Sequence, residues 1–245
     1  MTEVPGEPYE WDEQDEWDVR ETRMRIGIIG TGSMADALGT HWVRAGHEVL
    51  IGGRDEGRAA ALAARMGAAG HGTARAAAGF GDAVLLAVPY EAGAAVAGQL
   101  GDALHGRVLI DCSNPVGPGF VLLTEGGPSA ARRLADAAPA ARVVKAFNLC
   151  HEDVWRMDPP VFDGRPLAVP VCGDDESALD VVRELVKDAG CEPFAAGGLE
   201  RAGLVEATAA LLIGLWVGEG ADAQAIAPPL AYAAGMPRAE AVTSP

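Results

Sequence analysis

The sequence predicts an α/β protein with a Rossmann-type, doubly wound and mostly parallel sheet, followed by a small helical elaboration at the C-terminus. Its 245 residues are enough for one large or two small domains with a sizeable core. From Met24 onward, short runs rich in valine, isoleucine and leucine alternate with longer alanine-rich stretches, a pattern typical of parallel α/β sheets. The first of these runs leads straight into a glycine turn and then a helix.

The same alternation sets the order of the elements. We predict strands near residues 24–29, 47–52, 82–88, 107–111, 142–147, 167–172 and 191–195. We predict helices near residues 33–45, 56–66, 90–100, 128–138, 175–189 and 200–218. In the last helix one apolar face carries Leu204, Thr208, Leu211, Leu212 and Leu215. Because no strand follows this helix, we expect it to pack across the sheet or to form a dimer interface.

The composition divides the chain into three regions. Residues 1–23 hold nine acidic residues and two arginines, which indicates an acidic N-terminal arm. This arm is either flexible or docked through Trp11 and Trp17, since two indoles are costly to leave in water. A Rossmann domain is expected over 24–175, and a small substrate-binding or dimerisation region over 176–245.

Charge and hydropathy exclude several classes of protein. The net charge of −16 would repel phosphate backbones and anionic lipid, so we expect no nucleic-acid partner. The longest apolar runs, such as 83–89, fall short of the roughly 20 residues that a membrane span needs, so we expect no membrane segment. An acidic start without an apolar stretch is unlike a secretory signal, and we expect a cytoplasmic protein.

The four cysteines do not form a metal-binding pattern. None belongs to a CxxC pair, and no histidine stands at ligand spacing from them. We therefore expect no metal, and interpret these residues as buried thiols: Cys112, Cys150, Cys172 and Cys191.

The glycine turn has the form of a phosphate cradle. The segment RIGIIGTGSMA over 25–35 contains Gly30-x-Gly32-x-x-Ala35 between a strand and a helix. In such motifs the first glycine permits a tight turn, the second lets the backbone approach a pyrophosphate, and the small third residue lets helix pack on strand. The helix N-terminus favours the negative charge of the phosphates. The turn therefore predicts dinucleotide binding.

The end of the second strand indicates which dinucleotide binds. Proteins that use NAD place an acidic residue there to hold the ribose 2′-hydroxyl. This chain instead has Gly53 and Arg54, with Arg58 four residues further along the same helical face. Guanidinium groups suit a 2′-phosphate, so we predict that the cofactor is NADP(H).

Two later strands end in residues that would face the nicotinamide half of the cofactor. Val88 and Pro89 follow one strand, and Asn114 follows the next, within the segment DCSNP. Ligands of doubly wound sheets bind at the carboxyl ends of the strands. We expect these three residues to contact the cofactor, although each is also compatible with an ordinary strand-ending turn.

Several segments together resemble the F420-dependent NADP oxidoreductases, a family that also supplies the reductase domain of six-transmembrane metalloreductases. They are GTGSMADAL, GGRDEGR, LAVPYEA, GFVLLTEGGPSAAR, VVKAFN, PVCGDDESA and AGGLERAGLVEATAALLIGL, in the family's order across about 24–220. The resemblance implies hydride exchange between NADP(H) and coenzyme F420, a deazaflavin.

The resemblance also implies roles for particular residues. Thr31, Ser33 and Met34 would join the cradle glycines in holding the cofactor, and Arg54 and Arg58 would bind its 2′-phosphate. Leu149 and Leu204 would line the pocket of the second substrate. The chain departs from the family pattern at Asn148-Leu149, where the deazaflavin enzymes have a His-Thr pair.

Lys145, Asn148 and His151 form the most chemically suggestive group, at the end of one strand. We predict that Lys145 and Asn148 are catalytic and that His151 lines the substrate pocket. A lysine whose pKa is lowered in a cleft can donate a proton when hydride reaches a C=N, C=O or C=C bond. Lys145 could equally form a structural ion pair, and His151 could simply begin a helix.

Four functions remain open from the sequence. The first is hydride exchange between NADP(H) and F420; the second is NADPH-dependent reduction of a small or peptide-borne unsaturated substrate. The third is a non-catalytic NADP-binding partner protein. The cradle also resembles that of pyrroline-5-carboxylate reductases, but the strands predicted after residue 166 disagree with their all-helical second domain. In each case the partners expected are a small molecule and a second copy of the chain in a homodimer.

Overall fold

The computed structural model describes residues 23–124 and 126–226. It contains one eight-stranded sheet and a separate two-stranded hairpin. The strands are β1 Arg25–Ile29, β2 Glu48–Gly52, β3 Gly70–Gly72, β4 Ala83–Leu86, β5 Val108–Asp111, β6 Arg142–Lys145, β7 Val161–Phe162, β8 Arg165–Pro166, β9 Ala168–Gly173 and β10 Glu192–Gly197. In the large sheet their order is β10-β9-β6-β5-β4-β1-β2-β3, so the predicted Rossmann-type α/β fold is confirmed.

Helices cover both faces of this sheet. They are α1 Ser33–Arg44, α2 Glu56–Met66, α3 Ala74–Phe80, α4 Tyr90–Leu100, α5 Ala130–Ala137, α6 Glu152–Trp155, α7 Glu176–Asp188 and α8 Ala202–Ile213. One core layer packs α1, α2 and α7 against the sheet around residues such as Leu38, Trp42 and Leu185. The opposite layer packs α3, α4, α5 and α8 around Leu86, Leu134 and Val205. This two-sided cover explains the nearly continuous apolar runs of the central strands.

The register of the sheet brings the ends of four strands to one edge. β1 and β4 pair Ile29 with Leu86, β4 and β5 pair Leu86 with Asp111, and β5 and β6 pair Asp111 with Lys145. These strands are parallel, so the segments that follow them all leave at the same edge. β6 and β9 are antiparallel, and β10 is again parallel to β9, so the sheet is mostly parallel.

Several short elements were not predicted from the sequence. β3 and α3 lie between residues 70 and 80, where the chain reads GHGTARAAAGF and has no strong apolar run. Thr73 caps α3 by accepting a hydrogen bond from the backbone N–H of Ala76. The hairpin β7–β8 was also missed, because strands of two residues show no periodicity, whereas the helix start suggested at His151 is confirmed by the four-residue helix α6.

Helix α8 faces the opposite way to the prediction. Its buried face carries small residues and one acid: Ala202, Val205, Glu206, Ala209 and Ala210. Leu204, Thr208 and Leu211 point outward, with Leu204 58% and Leu211 55% exposed. The expectation that this leucine face packs across the sheet is therefore wrong. Small residues let the helix backbone lie close to α5, so the leucines are left on the outer side.

The same region bears on the expectation of no membrane segment, which stays a prediction. The helical stretch Leu199–Gly218 has 20 residues and a mean hydropathy of 1.4, long and apolar enough to cross a membrane by those two criteria alone. Only 28% of it is buried. The sequence estimate missed it because Glu200, Arg201 and Glu206 interrupt the run. Glu206 is fully buried within the fold, and this part of α8 packs on α5.

Two predicted regions fall largely outside the described residues. The acidic arm with Trp11 and Trp17 lies outside them except for Arg23, and so does the chain beyond 226. The predicted boundary between 175 and 176 falls inside one continuous sheet, because β9 and β10 pair across it.

Candidate active site

The glycine turn is built as the sequence predicts. Gly30 has a φ of 129°, and a Cβ placed there would collide with the carbonyl oxygen of Ala87. Its backbone N–H donates to the carbonyl oxygen of Gly52 at 2.8 Å, which ties the turn to the end of β2. Only glycine satisfies both the positive φ and the close approach.

The start of α1 is open to a ligand. Gly32 is the N-cap residue, no side chain caps the helix, and a Cβ at Gly32 would meet no atom within 4 Å. Ser33 is exposed, while Thr31 and Met34 are half-buried around the same turn. Uncapped N–H groups at a helix start, beside open space, fit the pyrophosphate of a dinucleotide.

The turn after β2 presents two arginines to solvent. Arg54 and Arg58 are exposed, and among the described residues neither has an ion-pair partner. An acid does follow in this turn, contrary to the expectation of none, but Asp55 is the N-cap of α2 and accepts a hydrogen bond from the backbone N–H of Arg58 at 3.0 Å. A Cβ on Gly53 would lie 3.1 Å from the Thr31 methyl group, so this turn adjoins the cradle.

The next strand ends continue along the same edge. Pro89 is exposed and is the N-cap residue of α4, and Val88 before it is half-buried. Asn114 is also half-buried, three residues beyond the end of β5. The structure therefore brings these predicted cofactor residues to the edge on which the cradle lies.

Asn114 and Asn148 form a reciprocal pair between the ends of β5 and β6. Nδ2 of Asn114 donates to the backbone carbonyl oxygen of Asn148 at 2.6 Å, and Nδ2 of Asn148 donates to Oδ1 of Asn114 at 2.9 Å. Asn148 Nδ2 also approaches the carbonyl oxygen of Val205 on α8 at 3.4 Å. Asn148 is only 3% exposed.

Edge-to-face contacts among three aromatic rings fix the turn that carries Asn148. Phe147 has a φ of 59°, in the left-handed region that is strained for a non-glycine residue. Its ring is fully buried and packs edge-to-face on Trp42 at 6.0 Å and on Trp155 at 5.6 Å, measured between ring centroids. Trp155 Nε1 in turn donates to the carbonyl oxygen of Cys150. The packing of three rings stabilises the unusual backbone.

Lys145 lies in a buried ion cluster. Its Nζ is 2.9 Å from Oδ2 of Asp111 and 3.2 Å from Oε1 of Glu206, and all three side chains are fully buried. Nζ also donates to the carbonyl oxygen of Ser113. Burial acts to lower the pKa of Lys145, but the two carboxylates outweigh it and raise the pKa above its ordinary value. The expectation of a lysine with a lowered pKa in a cleft is therefore wrong.

Sequence reasoning missed Glu206, which completes this cluster. Its Oε2 and Oε1 accept hydrogen bonds from the backbone N–H groups of Ala130 and Ala131 at 3.0 and 3.3 Å, at the start of α5. The sequence held one signal: Glu206 is the only charged residue between Arg201 and Glu219 in an apolar helix. Such a charge is buried only with a partner.

The predicted substrate residues divide between two cavities. His151 lines a large cavity of about 650 Å³ together with Phe162, Phe194 and Trp216. Leu149 and Leu204 line a separate cavity of about 160 Å³ beneath α8. The three residues predicted for one pocket therefore line two different cavities. His151 also caps α6, where its Nδ1 accepts from the backbone N–H of Asp153 at 3.3 Å.

A glycine cradle at the first strand of a doubly wound sheet, with arginines at the second, defines a dinucleotide-binding oxidoreductase. Residues 25–115 match the family described as NADP oxidoreductase, coenzyme F420-dependent. The chain is 32% identical over 212 residues to the F420-dependent NADP reductase of Methanothermobacter thermautotrophicus, covering 78% of this chain and 89% of that protein. The chain therefore belongs to the F420-dependent NADP oxidoreductase family, and the resemblance seen in the sequence is confirmed.

Other relatives differ in extent. The chain is 31% identical over 192 residues to metalloreductase STEAP3 of Rattus norvegicus, covering 78% of this chain but only 38% of STEAP3. It spans 62% of the F420-dependent NADP reductase of Methanocaldococcus jannaschii. A solved structure from Arthrobacter sp. FB24, named as a candidate F420-dependent NADP-reductase, superposes with a TM-score of 0.72 at 24% identity, covering 81% of this chain and 96% of the other. That likeness bears on the fold alone.

Proposed function

We propose that this NADP-dependent oxidoreductase exchanges hydride between NADP(H) and coenzyme F420. The burial of Lys145 is the observation that favours this reaction over the reduction of an organic substrate. Reduction of a C=N, C=C or C=O bond needs a proton donor beside the reacting atoms. The lysine predicted for that role is enclosed by Asp111 and Glu206 with no exposed surface. Transfer between two ready-made cofactors needs little acid–base help from the protein.

In this proposal the protein's own residues bind and align the two reactants. When bound, NADP(H) supplies or accepts the hydride through its nicotinamide ring. The open start of α1 at Gly32 would hold the pyrophosphate, and Arg54 with Arg58 would hold the 2′-phosphate. Val88, Pro89 and Asn114 lie further along the same edge, where the nicotinamide end would reach. Fixing two reactants at the correct distance lowers the barrier without a catalytic side chain.

The aromatic lining of the large cavity suits a second substrate with a flat ring system. Phe162, Phe194 and Trp216 contribute aromatic surfaces to it, and its volume of about 650 Å³ is in the range of small-molecule sites. Arg165 and His151 supply positive charge or hydrogen-bond donors at the same cavity. A deazaflavin, with an aromatic tricycle, suits such walls. A relative of the chain is named F420-dependent NADP reductase, and this name supports the same proposal.

A second candidate is reduction of an unsaturated organic substrate in this same cavity. His151 favours it, because its imidazole lines the cavity and its side chain is 67% exposed, so it could exchange protons with water. The Asn148-Leu149 pair in place of His-Thr also separates this chain from the deazaflavin pattern.

An anaerobic titration tests the two candidates. Protein saturated with NADPH is mixed with F420, and the absorbance of the oxidised deazaflavin is followed. We expect it to bleach in proportion to NADPH, and a His151→Gln variant, which keeps a hydrogen-bond donor, to reach the same end point at saturating F420. If F420 absorbance does not change while NADPH binds, the proposal is wrong. For an organic substrate, His151→Gln should lower turnover by about 10²–10⁴, as loss of an acid catalyst does.

A further inference from the structure

The chain contains only two asparagines, and the fold brings them into contact. Asn114 and Asn148 each stand three residues beyond the end of a strand, and those strands pair in register at Asp111 and Lys145. Two hydrogen bonds of 2.6 and 2.9 Å join them in both directions. The contact links the segments that follow β5 and β6.

The surroundings fix which way each amide points. If the nitrogen and oxygen of Asn148 were exchanged, its oxygen would face Oδ1 of Asn114 and the carbonyl oxygen of Val205. If those of Asn114 were exchanged, its oxygen would face the carbonyl oxygen of Asn148. Both alternatives place acceptor against acceptor. The donor of Asn148 is therefore directed at Asn114.

This arrangement leaves one atom of Asn148 without a partner. Its Oδ1 is buried and accepts no hydrogen bond from any described residue. Leaving a buried acceptor unpaired is unfavourable, whereas an apolar side chain of similar size avoids that loss. An amide here therefore carries a cost in stability that its two donated hydrogen bonds, to Asn114 and Val205, must offset. The amide provides an Nδ2 donor, and its hydrogen bond holds the side chain of Asn114 in place.

Asn114 is the accessible member of the pair. It is half-buried, and after its two bonds to Asn148 its amide retains one N–H and one oxygen lone pair. A donor and an acceptor side by side match the donor and acceptor of another primary amide. Asn114 lies at the edge that Val88 and Pro89 also border.

We infer that Asn148 is a positioning residue that holds the Asn114 amide to recognise the carboxamide of the nicotinamide ring. The inference rests on the NADP(H) site of the proposed function. It replaces the predicted catalytic role of Asn148 with an indirect one. The recognised group is a primary carboxamide, so a cofactor that lacks the amide N–H should lose this contact.

Binding measurements with three ligands test the inference. They are 2′,5′-ADP, which lacks the nicotinamide; NADP⁺; and its 3-acetylpyridine analogue, in which a methyl group replaces the amide NH₂. We expect the wild type to bind NADP⁺ about 5- to 20-fold more tightly than the analogue, as one hydrogen bond allows. In Asn148→Leu this ratio should fall to about twofold or less, because Asn114 is no longer held. Affinity for 2′,5′-ADP should stay unchanged.

Variants of the accessible partner complete the test. Asn114→Ala should lose the same discrimination, and the double variant should lose no more, since the two residues act as one unit. If Asn148→Leu fails to fold, Asn114→Ala still tests the loss of discrimination between NADP⁺ and its analogue. A thermal melt of Asn148→Leu at or above the wild-type value supports the positioning role, since it would show that the amide is not kept for stability. Undiminished discrimination in folded single variants would overturn the inference while leaving the NADP site intact. No binding of 2′,5′-ADP by the wild type would overturn both.

Discussion

The ammonium group of Lys145 lies 3.2 Å from a carboxylate oxygen of Glu206, and neither side chain has any exposed surface. This contact joins β6 of the sheet to α8, across 61 residues of sequence. Asp111 adds a second carboxylate at 2.9 Å from the same nitrogen. The ion pair therefore ties α8 to the strand ends that carry the candidate site.

Removing the cation should destabilise the protein strongly. Lys145→Met leaves Asp111 and Glu206 buried without a positive partner, and breaking a buried ion pair costs about 3–5 kcal/mol. We expect this loss in the free energy of unfolding measured with denaturant. Adding Glu206→Leu to Lys145→Met should restore part of it. A single variant within about 1 kcal/mol of the wild type would contradict a structural role for the cluster.

Arg54 should decide the choice between the two nicotinamide cofactors. Its guanidinium has no carboxylate partner among the described residues and stands at the turn after β2. We expect NADPH to bind more tightly than NADH by about 1.5–3 kcal/mol, and Arg54→Ala to remove most of that difference.

The matched control for this variant is Arg65→Ala. Arg65 lies in the last turn of α2, the helix that follows the Arg54 turn, and pairs with Asp36 at 2.9 Å. It should leave the ratio of dissociation constants unchanged. Equal affinity of the wild type for NADPH and NADH would show that no 2′-phosphate site exists.

The buried thiols of Cys112 and Cys191 and the half-buried thiol of Cys150 should resist alkylation in the folded protein. Burial raises the pKa of Cys112 to about 12, of Cys191 to about 12 and of Cys150 to about 11. Since the thiolate is the reactive form, labelling with iodoacetamide at pH 8, read by mass spectrometry, should be slow until denaturant is added.

The same shifts predict how stability depends on pH. In the unfolded chain thiols ionise near pH ~8.5, whereas in the folded protein they stay protonated to higher pH. The free energy of unfolding should therefore fall as pH rises above ~8.5. Replacing Cys112 by alanine should flatten this dependence. Rapid native labelling of Cys112 would contradict the prediction.

A substitution in the lining of the large cavity should weaken binding of the second substrate but not binding of the cofactor. Phe194 lines the cavity and is 52% exposed, so Phe194→Ala removes ring contact without opening the core. We expect affinity for F420 to fall about tenfold, as loss of one stacked ring does, while the Kd of NADPH stays within twofold. Leu211→Ala, an exposed apolar residue outside the cavity lining, is the control. Equal effects of the two variants would place the substrate elsewhere.

Elements whose signals are local could be predicted from the amino-acid sequence alone. The apolar run 26–29, the glycines at 30 and 32 and the helix that follows are fixed by neighbouring residues, and the structure has them where they were predicted. The arginine turn after β2 is local in the same way. Such motifs can be predicted because the geometry of a turn and the apolar pattern of a strand depend on residues that are neighbours in the sequence.

The roles of Lys145, Asn148 and Glu206 depend on the tertiary fold, because their partners are distant in the sequence. A lysine at a strand end can face a cleft or a carboxylate, and the choice here depends on α8, which brings Glu206 from 61 residues further along the chain. The partner of Asn148 is likewise 34 residues away in sequence. The direction of a side chain's pKa shift and the pairing of an amide depend on which groups the fold places within a few ångströms, and single-sequence periodicity carries no information about those distances.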